Sequence, residues 1–160
     1  MTRFAHIVDT QSIMHDPTVP ITAEVLLVED NAGDIRLLQE AFKEAGVKCN
    51  LHITRNGEEA MAFLHHEGEY ANSPRPSIIL LDLNLPRKDG REVLAEIKHE
   101  QRLLRIPVVV LSTSTNVEDI QGAYGLHANC YIPKPADLAS LIGLGQIIER
   151  FWLKAAVLAS

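Results

Sequence analysis

Val25-Leu26-Leu27-Val28-Glu29-Asp30 decides the fold: four consecutive apolar residues run straight into two acids. A half-buried strand alternates apolar and polar residues, whereas a short unbroken apolar run fits a strand covered on both faces of a parallel sheet. Downstream, Ile35, Leu38, Phe42 and Ala45 recur at helical spacing and stop at Gly46, a suitable C-terminal cap. The alternation then repeats. Residues 51–54 read as a second strand, less apolar and so suited to an edge, before a helix over 56–66 and a loop over 68–76. Residues 78–81, 108–111 and 130–132 read as further strands, with helices over 89–102, 117–124 and 138–153. Five strands alternating with five helices, joined by links too short for hairpin returns, imply a parallel sheet covered on both sides.

One α/β domain over residues 23–154 accounts for nearly the whole chain, with residues 1–22 expected as a mobile N-terminal extension and 155–160 as a short tail without an output domain. Hydrophobic residues make up 46% and charged residues 22% of the 160, too apolar for a disordered chain. Fifteen Lys and Arg against 21 Asp and Glu give a net charge of −6, which argues against nucleic acid or an anionic membrane as partner. No apolar run approaches the ~18 residues of a membrane span. Cys49 and Cys130 lack metal-type spacing and are too few for a disulfide framework, pointing to a reducing cytoplasm. No pair among the seven histidines has the spacing of a helical zinc site.

In an open parallel sheet the reactive site lies beyond the carboxyl ends of the strands. The first strand ends in Glu29-Asp30, the third in Asp82, the fourth in Ser112, and the fifth runs into Lys134-Pro135. An acid after a strand is commonly a helix cap, and a lone lysine is commonly a surface group. Their joint placement on separate strand ends is harder to explain that way. Clustered carboxylates repel one another unless a cation sits between them. Oxygen donors without His or Cys suit Mg²⁺, and a phosphoryl group would complete the set, its oxygens neutralised by Mg²⁺ and Lys134 and bonded by Ser112.

Together Glu29-Asp30, the run Asp82-Leu83-Asn84-Leu85-Pro86 with Asp89-Gly90, Ser112, and Lys134-Pro135 resemble the response-regulator receiver domain of two-component signalling. Asp30 and Lys134 each lie 52 positions from Asp82, and Ser112 lies 30 beyond it. The resemblance implies a flavodoxin-like, doubly wound sheet of five parallel strands in the order 2-1-3-4-5, flanked by five helices. It further implies Asp82 as phosphoacceptor, Asp30 as a direct Mg²⁺ ligand, Glu29 acting through water, and Asn84 offering its backbone carbonyl. Ser112 matches the switch hydroxyl, Lys134 the phosphate-binding lysine and Tyr131 the rotating switch aromatic, which phosphorylation would draw inward. Pro135 implies a cis bond after Lys134. Thr113 stands where a small residue is usual.

The long link before Ile78 and the Phe151-Trp152-Leu153 end look similar to cyanobacterial phytochrome-associated single-domain regulators. The expected partners are therefore a sensor histidine kinase, of phytochrome type, and an unidentified downstream protein. A phosphatase or phosphotransferase using Asp82 as nucleophile is the enzymatic alternative. Such enzymes carry Asp-x-Asp, whereas Asn84 offers an amide, which does no proton transfer. A flavin binder would need a phosphate-binding loop after the first strand, where two acids stand instead. In the last helix Leu138, Leu141, Ile142, Ile148 and Trp152 form one stripe at 100° per residue. Leu144, Ile147 and Phe151 form a second, widening the apolar arc to about 240° and marking an expected homodimer interface.

Overall fold

The computed structural model describes residues 22–159, so the extension read over 1–22 lies, but for Thr22, outside the described residues. Five strands, β1 (Ala23–Val28), β2 (Cys49–Thr54), β3 (Ile78–Leu81), β4 (Val108–Ser112) and β5 (Cys130–Pro133), form one parallel sheet. Their order is β2-β1-β3-β4-β5. The helices are α1 (Ala32–Glu44), α2 (Gly57–His65), α3 (Gly90–His99), α4 (Val117–Gly125) and α5 (Leu138–Ile147). The apolar runs in β3 and β4 are buried at every position, β3 at the centre of the sheet and β4 beside it. Less apolar β2 lies at an edge, as its composition requires.

Two cores sandwich the sheet. Leu26, Val28, Ile79, Leu81 and Val110 face α2 and α3 on one side, while Val25, Leu27, Ile78, Leu80 and Val109 face α1 and α5 on the other. Each such side chain stabilises the fold by about 1.5–3 kcal/mol. All five helices start on Asn or Asp: Asn31, Asn56, Asp89, Asn116 and Asp137 each accept a first-turn backbone N–H. Such a cap is worth about 1 kcal/mol over alanine. Because helices begin where strands end, these polar caps line the carboxyl edge of the sheet. Asp89 and Asp137 are accounted for as caps; Glu29, Asp30 and Asp82 are not.

The single helix expected over 138–153 is instead α5 followed without a break by a π-helical segment, Ile148–Ala155. The wider turn brings Ile148, Glu149, Trp152 and Leu153 to the inner side and leaves Phe151 54% exposed. Buried Glu149 accepts the Lys48 backbone N–H through Oε2 at 3.0 Å and pairs with Lys154 Nζ through Oε1 at 3.0 Å. The second apolar stripe therefore needs correction: Leu144 is only 5% exposed and belongs to the core with Leu38, Ala41 and Phe42. A helix packed on a sheet alone buries one stripe, but α5 also meets α1. There a Cβ on Gly145 would stand 3.0 Å from Ala45 Cβ. Ile147, at 57%, is exposed like Phe151.

Candidate functional site

The sheet register assembles the site. Val28 of β1 pairs with Leu81 of β3, so Glu29 and Asp82, one residue on, emerge side by side. The Asp82 backbone N–H donates to Val28 O at 3.0 Å, and that of Glu29 donates to Thr54 O at 3.0 Å, extending the sheet to the acids themselves. On the other flank Ser112 ends β4, and the Lys134 N–H donates to Ser112 O at 2.8 Å. Gly90 fixes the loop that leaves β3: a Cβ there would lie 2.3 Å from Asp82 O and 2.6 Å from Leu83 Cα, so only glycine fits.

Carboxylate oxygens of Glu29, Asp30 and Asp82 all lie within 4.8 Å of one another. Lys134 Nζ donates to Glu29 Oε2 at 2.5 Å, Asp82 Oδ2 at 3.1 Å and Asp34 Oδ2 at 3.2 Å. The side chains of Glu29, Asp82 and Lys134 are 4, 10 and 11% exposed, so this ion cluster is largely out of water. Burial pushes the Glu29 carboxyl up and the Asp82 charge adds to it, against the pull of the Lys134 and Asn31 hydrogen bonds. Burial would lower Lys134, but the Glu29 hydrogen bond and the Asp82 and Glu29 charges outweigh it. Its ammonium is held above the usual lysine range.

Three carboxylates, Glu29, Asp34 and Asp82, thus share one ammonium, with Asp30 beside them. Asp30, exposed, has no hydrogen-bond or ion-pair partner among the described residues, and no described hydrogen bond reaches the Asn84 carbonyl. Instead, the Asn84 N–H donates to Asp82 Oδ1 at 3.1 Å, folding the loop over the acid. The donor set, all oxygen and one charge partner short, fits a hard divalent cation such as Mg²⁺. A cavity of about 290 Å³, lined by Leu27, Leu38, Leu111 and Leu141 with Lys134 and Asp34 at its rim, walls the cluster on the α1–α5 side.

All the residues expected at the site converge here except Tyr131, which reaches it through Ser114. Ser112, 1% exposed, accepts the Ser114 N–H on Oγ at 3.2 Å. Tyr131, 8% exposed, already lies inward, and its hydroxyl donates to Ser114 O at 2.8 Å. Thr113 is exposed at the cavity. Asp34 escapes sequence reasoning because an acid in a helix's first turn is ordinary there. Its position four residues after Asp30 was the only signal. The Lys134–Pro135 bond is trans, no cis peptide occurring among the described residues. Trans is favoured before proline by about 0.5–1 kcal/mol, and here it already lets Lys134 bond Ser112 and the three acids. Among the histidines, His52 pairs with Glu24 at 2.6 Å and His65 with Glu100 at 2.7 Å, both away from the site.

Residues 25–144 match the family model for the response regulator receiver domain. The chain is 56% identical over 134 residues to response regulator Rcp1 of Synechocystis sp., covering 84% of this chain and 91% of that protein. It is 42% identical over 130 residues to the probable methanogenesis regulatory protein FilR2 of Methanothrix harundinacea, covering 81% and 83%. The crystal structure of the phosphorylated cyanobacterial phytochrome response regulator RcpA superposes with a TM-score of 0.81 at 57% identity, covering 87% of this chain and 99% of that one. The Mn²⁺-bound form of Rcp1 gives 0.79 at 54% identity, covering 86% and 99%. With strand order, acidic rim and sequence in agreement, the chain belongs to the response regulator receiver domain family.

Proposed function

We propose that the protein is a phosphorylation-controlled signalling protein that accepts a phosphoryl group on Asp82 from a sensor histidine kinase and acts by contact with another protein. The observation that carries this is the bridge from Lys134 Nζ to Asp82 and Glu29 beside Asp30, which has no partner among the described residues. In the transfer an Asp82 carboxylate oxygen attacks phosphorus, the phosphorus–nitrogen bond of the phosphohistidine breaks, and the imidazole leaves with the bonding pair. Lys134 and the Ser112 hydroxyl take up charge on the phosphoryl oxygens. Asp30 directly, Glu29 through water, Asp82, and the Asn84 carbonyl would hold Mg²⁺. Bound there, Mg²⁺ supplies neutralisation of acceptor and phosphoryl charge.

Likeness to RcpA and Rcp1 supports a kinase of the phytochrome type as donor. Exposed Ile147 and Phe151, without Leu144, support a homodimer through the last helix. The test is label uptake from radiolabelled acetyl phosphate. Uptake that requires Mg²⁺ and vanishes in Asp82→Asn is expected; undiminished uptake by that variant would sink the assignment.

A further inference from the structure

Every polar group of Ser114 is committed. Its N–H goes to Ser112 Oγ, its carbonyl accepts Tyr131 OH, and its own hydroxyl donates to Asp119 Oδ2 at 2.6 Å. The same hydroxyl oxygen accepts the Asn116 N–H at 3.2 Å, closing the turn into α4. Asp119, in the first turn of α4, offers its other oxygen, Oδ1, to Arg91 Nη2 at 2.7 Å. These two partners, Ser114 first and then Arg91, hold the Asp119 carboxyl below the usual range.

Arg91 is not an arbitrary anchor. It follows Gly90, whose close approach to Asp82 O and Leu83 fixes the first turn of α3 against the backbone of the acceptor. A line of contacts, steric at Gly90 and polar from Arg91 onward, therefore runs from the Asp82 strand end through α3, across to α4, and back to the switch hydroxyl and aromatic. The loop over 113–116 has no packing of its own to hold it, since Thr113, Thr115 and Asn116 are exposed. Its geometry depends on these bonds.

We infer that Arg91 and Asp119 are positioning residues that hold Ser114, and through it the inward Tyr131 ring, in place. The Ser112 hydroxyl oxygen acts only as an acceptor toward Ser114, so its hydrogen is not committed to that bond. Severing the bridge frees the loop and lets the ring sample outward positions. The two sites then communicate by a shift of population rather than by a new contact. This rests on the assignment of Ser112 and Tyr131 as the switch pair.

Fluorine NMR on fluorotyrosine-labelled full chain tests it. The three tyrosines give separable signals, and Tyr131→Phe identifies the one that matters. Arg91→Gln should move the inward–outward equilibrium of Tyr131 about two- to fivefold outward, the size of a partly exposed ion pair. Asp119→Asn should move it at least as far, and the double variant no further than Asp119→Asn alone. Acetyl phosphate labelling should slow in parallel while the melting temperature of Arg91→Gln holds, which a merely structural bridge would not predict. A Tyr131 signal unchanged in both single variants, or effects that simply add in the double variant, would overturn the inference. The ring measurement involves no phosphate, so failure of Asp82 to take label would leave it standing.

Discussion

Lys134 Nζ and Asp82 Oδ2 meet at 3.1 Å across 52 residues of chain, and the same ammonium also reaches Glu29 and Asp34. An ammonium has three donors, so all are spent. Lys134→Met should therefore leave buried acids unpaired. In chelator, urea unfolding should report a loss of about 3–5 kcal/mol, part of which Mg²⁺ restores.

Of the three clustered acids, Asp30 is the one without a hydrogen-bond or ion-pair partner among the described residues. Asp30→Asn should accordingly weaken Mg²⁺ binding more than Glu29→Gln, since Glu29 is already engaged by Lys134 and by the Asn31 N–H at 3.0 Å. Calorimetric titration checks the order; a reversed order refutes the roles.

The pH dependence follows from two raised groups. Glu29, raised on folding, binds its proton more readily folded than unfolded, so its contribution to stability falls as pH climbs from about 4.5 through its folded value. Lys134, also raised, contributes stability that is fully present below about pH 10.5 and is lost only as pH rises toward its folded value. Unfolding free energy in chelator should decline on both the mildly acidic and the strongly alkaline limb. Mg²⁺ should flatten the first.

Ser112→Ala removes the hydroxyl that accepts the Ser114 N–H. The variant should still take label on Asp82, yet its partner binding should no longer respond to phosphorylation. A wild-type response would transfer the trigger elsewhere.

Phe151→Asp should give monomers by light scattering at tens of micromolar without loss of label uptake, because that ring is 54% exposed. Leu144→Ala, by contrast, should cost about 2–5 kcal/mol of stability, as it empties a core position. A monomeric wild type would remove the interface.

The strands were legible because apolar runs such as 25–28 and 108–111 are short, rich in valine and leucine, and recur between helical patterns, which fits a doubly covered sheet. The acids were legible because strand ends in such a sheet converge. Asp34 and Asp119 were not, since each is unremarkable in a helix's first turn, and only tertiary placement brings Lys134 or Arg91 to it. Leu144 was misplaced by projecting the last helix against the sheet alone, when α1 covers it as well. A uniform 100° per residue likewise has no room for the wider turn at Ile148.

The bond from Lys48 N–H to Glu149 gives the end of the chain a built-in reporter. That amide is shielded from solvent exchange only while the last helical segment is docked beside β2. Its exchange rate, read in a single experiment, is thus a local clock for lifting of the segment that carries Phe151. A partner that seizes this segment should set the clock running faster, with the sheet amides of β3 and β4 unmoved.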